Sequence, residues 1–173
     1  MAQQDVERFE RTVLPYLDDA YTLARYLLRD EHDAQDVVQD AALRALRHFE
    51  GFREGDARAW LLSIVRNCCY TWHRRHRSNQ RELPIDHIQP IASSTDPADK
   101  AAIEASERAA IQRAIAALPD EFREVIVLRE IEELSYKEIS DVVGAPIGTV
   151  MSRLARARKR LALALGRGEQ EAV

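Results

Sequence analysis

Residues 134–161, LSYKEISDVVGAPIGTVMSRLARARKRL, hold two short helical patterns separated by a single glycine turn. Ser135 and Glu138 have the form of a capping box, in which the serine oxygen accepts from the Glu138 amide and the glutamate returns a bond. The first pattern gathers Ile139, Val142 and Val143 and then meets Gly144, the residue that best accepts the left-handed conformation closing a helix. Pro146 suits the first turn of the helix that follows. In that helix Val150, Leu154, Ala157 and Leu161 recur at spacings of four, three and four. At about 100° per residue, Thr149, Ser152, Arg156, Lys159 and Arg160 fall on the opposite side.

Two helices joined by a tight Gly-containing turn make a helix-turn-helix, and a second helix presenting Thr, Ser and Arg outward has the chemistry for major-groove edges. Arginine can pair with a guanine edge, and serine or threonine with groups on either strand. Residues 142–168 contain no acid, whereas Arg153, Arg156, Arg158, Lys159 and Arg160 put five positive charges into eight residues. A charge run alone fits a solvated basic face equally well. Joined to the capping box, the Gly144 turn and the polar face, it points to duplex DNA.

The whole-chain charge points the other way. Among 173 residues, 25 Lys and Arg face 29 Asp and Glu, a net charge of −4, while nucleic-acid-binding domains are usually basic. The distribution removes the conflict, because a second acid-free stretch, 57–81, accompanies 142–168. Other classes are set aside by composition. No run approaches the roughly 18 apolar residues of a membrane helix, and the polar MAQQDVERFERT start is unlike a signal peptide. No membrane contact and a cytoplasmic setting are expected. Cys68 and Cys69 are adjacent and supply neither a disulfide framework nor zinc-finger spacing. With six Gly, six Pro and 46% hydrophobic residues, the chain reads as all-α.

Three of the six prolines fall in SNQRELPIDHIQPIASSTDPAD (78–99), which has no sustained helical period and reads as a flexible linker. Two small helical domains are therefore expected, 1–77 and 100–173, the second containing the helix-turn-helix. In the first, helices are predicted from Val6 to about Arg29, with an irregularity at Pro15, from Glu31 to about Phe49, and from Ala57 to about Arg77. In the second, a helix from about Ala98 should stop near Ala117 ahead of Pro119, and Asp120–Ile131 should be helical.

The first domain carries two candidate surfaces. Asp33, Asp36 and Asp40, with Gln39, share a face of the second helix opposite its apolar stripe. They could be metal ligands or an acid/base pair, an exposed acidic face, or a docking face for a basic partner helix. No histidine stands at ligand spacing, so no metal or other cofactor is expected. The third helix has a core stripe of Leu61, Ile64, Val65, Cys68 and Trp72. Another face is marked by Trp60, Asn67, Thr71 and Arg74, and the helix ends in YTWHRRHR. Aromatics beside arginines are the ingredients of single-strand binding, although Trp60, Tyr70 and Trp72 fit a core equally well. His73 and His76, one turn apart among arginines, read as phosphate-side partners.

DAQDVVQDAALRAL (33–46) followed by ARAWLLSIVRN (57–67) resembles regions 2.2 to 2.4 of extracytoplasmic-function (ECF) sigma factors of bacterial RNA polymerase. LPDEFREVIVLREIEELSYKEISDVVGAPIGTVMSRLARARKRL (118–161) resembles their region 4. The resemblance implies a non-enzymatic initiation factor that joins core polymerase, through the β′ clamp helices and β, and recognises the −10 and −35 promoter elements. Asp33, Asp36, Gln39 and Asp40 occupy positions that dock on the clamp helices. Phe49, Phe52 and Arg53 lie in the segment that captures a flipped −10 base, and Trp60, Asn67, Arg74 and Arg75 in the region that meets the melted strand. Thr149, Ser152, Arg153, Arg156 and Lys159 occupy the −35 reader. An anti-sigma factor is the further partner implied. Met151 departs from the pattern, since many members carry Lys or Arg there. A two-domain DNA-binding regulator that never joins polymerase is the competing reading.

Overall fold

Proline decides the first break in the chain. Pro15 lacks an amide hydrogen, and its ring crowds the carbonyl four residues back. What the sequence presents as one helix is accordingly α1 (Gln3–Thr12), a 3₁₀ turn (Leu14–Tyr16) and α2 (Leu17–Leu28) in the computed structural model, which describes residues 3–52, 55–76 and 98–166. Arg29 takes the left-handed conformation (φ 63°) and closes α2. Asp30 then caps α3 (Glu31–His48), its carboxylate accepting from the Asp33 amide at 2.9 Å. A 3₁₀ turn (Phe49–Gly51) leads towards α4 (Ala57–His76). The expected linker lies almost wholly outside the described residues.

The C-terminal domain begins with α5 (Ala98–Ala116), which ends where Pro119 requires, and α6 (Asp120–Ile126) continues as a π-helical turn over Val127–Ile131. The widening carries the Glu132 amide back to the Val127 carbonyl. Arg123, 1% exposed, holds the end of α5 together. Its guanidinium donates to the carbonyls of Ile115, Ala116 and Leu118 and to the Asp120 carboxylate. A planar fork of five donors thus satisfies acceptors that a helix end leaves without intrahelical partners.

The capping box is formed as read: the Glu138 amide donates to the Ser135 hydroxyl, and the Ser135 amide to the Glu138 carboxylate at 2.6 Å. It starts α7 (Tyr136–Val143), which Gly144 ends at φ 66° before α8 (Ile147–Ala164). Val150, Leu154 and Ala157 are buried beneath α8, with Leu161 half-buried. Among the described residues every regular element is helical. The chain forms two helical domains.

These domains pack against each other through α4, which touches α2 and α3 on one side and α7 on another. Two covered sides explain a departure from the expected core. Leu62 and Cys69 are wholly buried although they lie off the predicted stripe, whereas Ile64 and Trp72 are half-buried. Leu62 and Cys69 share their side of the helix with Arg58, Arg66 and Tyr70, which bond to the C-terminal domain. Each fully buried leucine contributes about 1.5–3 kcal/mol, and the buried apolar residues of the two domains form one continuous cluster. Burial pushes the Cys69 thiol up to about 12, so both adjacent cysteines behave as small apolar side chains.

Candidate functional site

On α8 the side away from the core exposes Ser152, Arg156 and Lys159, with Thr149 half-exposed at the first turn. The remaining basic residues are engaged by neighbouring elements. Arg153 lies 3.7 Å from both Glu121 and Glu124 and is only 25% exposed. Arg158 donates twice to Glu130, at 2.6 and 3.0 Å, and Arg160 lies over the Phe122 ring. Two outward cations and two hydroxyls therefore line one helix face, while the other arginines attach the helix to α6 and the π turn.

Three surfaces of α4 have different duties. Arg66 makes a bidentate pair with Glu124, at 2.6 and 3.1 Å, and Tyr70 donates to the same carboxylate at 3.0 Å. Arg58 joins Asp19 (2.6 Å) to Glu132 (2.9 Å). Burial, and secondarily the Asp19 carboxylate, pushes Glu132 from its ordinary 4.5 to about 7. The folded chain thus holds this proton more tightly than the unfolded chain. Its contribution to stability is full below about pH 4.5 and is lost as the pH rises through about 7. Glu132→Gln is expected to flatten the fall in unfolding free energy between pH 5 and 8 relative to wild type, approximate limits set by this shift, as read by urea denaturation at each pH. An unchanged slope would remove Glu132 as its source.

On the face away from both contacts, Asn67 and Arg74 are exposed, as is Arg75, with Thr71 between them half-buried. Asn67, Thr71 and Arg74 line a depression of about 440 Å³, and Asp120 of the C-terminal domain borders it. At the start of α4 a second depression of about 370 Å³ is walled by Gly51, Phe52, Gly55, Trp60 and Ser63, with Asp141 at its edge. Phe52 and Trp60 lie 4.8 Å apart, both half-buried. Across the domain, Asp36, Gln39 and Asp40 project from α3 into solvent, Asp33 is half-exposed, and Asp40 pairs with Arg44 at 2.8 Å.

Residues 12–79 match the family described as Sigma-70 region 2, and residues 108–161 that described as Sigma-70, region 4. The chain is 36% identical over 147 residues to the ECF RNA polymerase sigma factor SigM of Mycobacterium tuberculosis, covering 84% of this chain and 71% of that one. The chain belongs to the ECF RNA polymerase sigma factors. Members recognise promoters and initiate transcription. The sigma factor is also 33% identical over 160 residues to SigE of Mycolicibacterium smegmatis, spanning 92% of this chain and 62% of that relative's length. Its fold superposes, at a TM-score of 0.74 and 28% identity, on the sigma factor RpoE in complex with the anti-sigma factor NepR from Bartonella quintana. That match covers 92% of this chain and 98% of the other.

Within these two sigma regions, the surroundings of several expected contact residues differ from those expected. Phe49 of the sigma factor faces the core and not a strand of DNA. It is 2% exposed, edge-on to Phe9 at 5.3 Å and stacked behind Phe52 at 6.0 Å. His73 Nε2 donates to the Leu27 carbonyl and His76 Nδ1 to that of Trp72, each at 2.9 Å, so each ring has one nitrogen committed within the chain. His76 also stacks on the Trp72 ring. Arg153 and Arg160 are engaged within the domain, as described above. Arg53 lies outside the described residues. One residue the sequence reading passed over is Leu43, 53% exposed. It stands at helical spacing from Asp36, Gln39 and Asp40, and an uncovered leucine beside an acidic stripe was its available signal.

No helix among the described residues is long and apolar enough to cross a membrane.

Proposed function

We propose that this sigma factor divides promoter recognition among three faces. The outer face of α3, with Asp33, Asp36, Gln39 and Asp40 around Leu43, docks on core RNA polymerase. The Phe52–Trp60 depression and the Asn67–Arg74–Arg75 face of α4 hold the melted −10 strand. The outer face of α8 reads the −35 duplex through Thr149, Ser152, Arg156 and Lys159. Arg153 acts on this reading mainly by fixing α8 against Glu121 and Glu124. The chain contributes binding and strand separation, and the polymerase contributes the chemistry. The observation that carries the proposal is α8, whose apolar side is sealed while two cations and two hydroxyls point outward from an acid-free segment.

The energetics of the −10 step are balanced. Extruding a base costs a few kcal/mol, and stacking on an aromatic side chain returns about 1–3 kcal/mol per base. A preformed wall of Phe52 and Trp60 supplies that return without a further ordering cost. An anti-sigma factor is a second partner on this reading, since RpoE shares the fold and was solved with NepR.

Arg156→Ala tests the −35 assignment. The expected loss is about 1–3 kcal/mol concentrated at one base pair, read as holoenzyme affinity across a set of single-substitution promoters. A loss spread evenly over all sequences would make Arg156 a phosphate contact and leave base reading to other residues.

A further inference from the structure

The reading face of α8 has an apolar border that the proposed contacts leave unused. Ile147 and Met151, 44% and 51% exposed, stand one turn apart in the first half of the helix, and Ala155 continues the line exposed to solvent. Beside them, Gly148 carries no side chain, and a Cβ there would meet nothing within 4 Å. Chain geometry does not require these apolar groups. The core of the domain is closed by Val150, Leu154 and Ala157 on the other side of the helix, and Met151 makes no part of the buried cluster. The strip runs alongside Ser152, Arg156 and Lys159, so whatever covers it also meets hydroxyls and cations.

One apolar group meets that description in the major groove: the C5-methyl of thymine. It is the groove's hydrophobic landmark and lies on the same edge as the acceptors that arginine and serine contact. A thioether on an unbranched, three-bond side chain can adjust to such a methyl, and the first turns of a recognition helix are those that approach base edges. From this geometry we infer that Met151 is a specificity-determining residue that reads a thymine methyl in the −35 element, with Ile147 shielding the contact from water. This rests on the assignment of α8 as the −35 reader. A basic residue at the same position that reached a phosphate would carry no sequence information. Met151 therefore exchanges sequence-independent affinity for selectivity.

The test uses the full chain assembled with core polymerase. A −35 element is first selected from promoter fragments randomised in that region. Each thymine of the selected element is then replaced in turn by deoxyuridine, which removes only the methyl. For wild type, one thymine is expected to show a loss of about three- to five-fold in promoter affinity, the value of one buried methyl-sized group. Met151→Ala should bind the thymine promoter as weakly as wild type binds the uracil one and should not distinguish the two. Met151→Leu should keep most of the discrimination. Arg156→Ala should weaken binding further while preserving the thymine preference. A selected element without thymine, or an equal uracil penalty in wild type and Met151→Ala, would overturn the inference. Loss of affinity in Met151→Ala when wild type shows no uracil penalty at any thymine would assign the strip to a protein partner instead. If Arg156→Ala left binding unchanged as well, the assignment of α8 itself would fail.

Discussion

Asp36→Arg is expected to reduce affinity for core RNA polymerase by at least about 30-fold while leaving the fold intact. Losing a charge contact within an interface costs about 2–5 kcal/mol, and each 1.4 kcal/mol is ten-fold. Reversal also places a cation against any basic surface that the α3 face fits. Folding should barely respond. Asp36 is exposed, and surface substitutions away from caps and cores usually change stability by less than about 0.5 kcal/mol. The neighbouring Asp33 carboxyl is pushed above its usual range by burial first and then by Asp30, with Asp36 adding to it, so the arginine relieves a local repulsion. Leu43→Ala should weaken the same complex more modestly through lost apolar area. Binding of labelled sigma factor to core polymerase, alongside urea denaturation, reads both effects. Unchanged affinity in Asp36→Arg would remove α3 from the docking surface.

The second large effect is expected at the domain contact. Glu124 is 1% exposed and takes both Arg66 bonds together with that of Tyr70. Arg66→Ala removes the guanidinium and leaves a buried carboxylate with a phenol and the more distant Arg153. Breaking a buried pair from one side costs about 3–5 kcal/mol, a large fraction of the 5–15 kcal/mol by which domains are stable. Arg66→Ala combined with Glu124→Gln should recover at least half of that loss, because the residual penalty is the uncompensated charge. Urea midpoints of the two variants decide the matter. Equal losses would mean that packing of the arginine stem, and not the charge pair, stabilises the contact.

What the sequence could and could not disclose follows from the range of the forces involved. The capping box at Ser135, the Gly144 stop, the Pro15 break and the α8 stripe are local, set by backbone conformation and by neighbours within one or two turns. All are present as read. The misjudged residues are those whose surroundings come from distant segments. Leu62 and Cys69 looked peripheral because the stripe was drawn for a helix covered on one side, whereas α7 covers another. Phe49 stood in a segment read as a binding loop, yet Phe9, forty residues earlier, closes over it. Arg153 and Arg158 counted as positive charge on α8 until Glu121, Glu124 and Glu130 took them up. The same uptake changes the meaning of the net charge: acidic residues of α6 and the π turn pair with Arg153 and Arg158, and the outer face of α8 keeps Arg156 and Lys159.

On the proposed function the three faces act together, with α3 bringing polymerase to the DNA that α4 and α8 recognise. Run-off transcription with purified core polymerase, the full chain and a promoter fragment tests this most directly. Transcripts of a single defined length are expected with the wild-type chain, lost with Asp36→Arg even at promoter concentrations that saturate wild type. Specific DNA binding by the wild-type chain with no transcripts above those of core polymerase alone would contradict the claim and identify instead a DNA-binding regulator that works apart from polymerase.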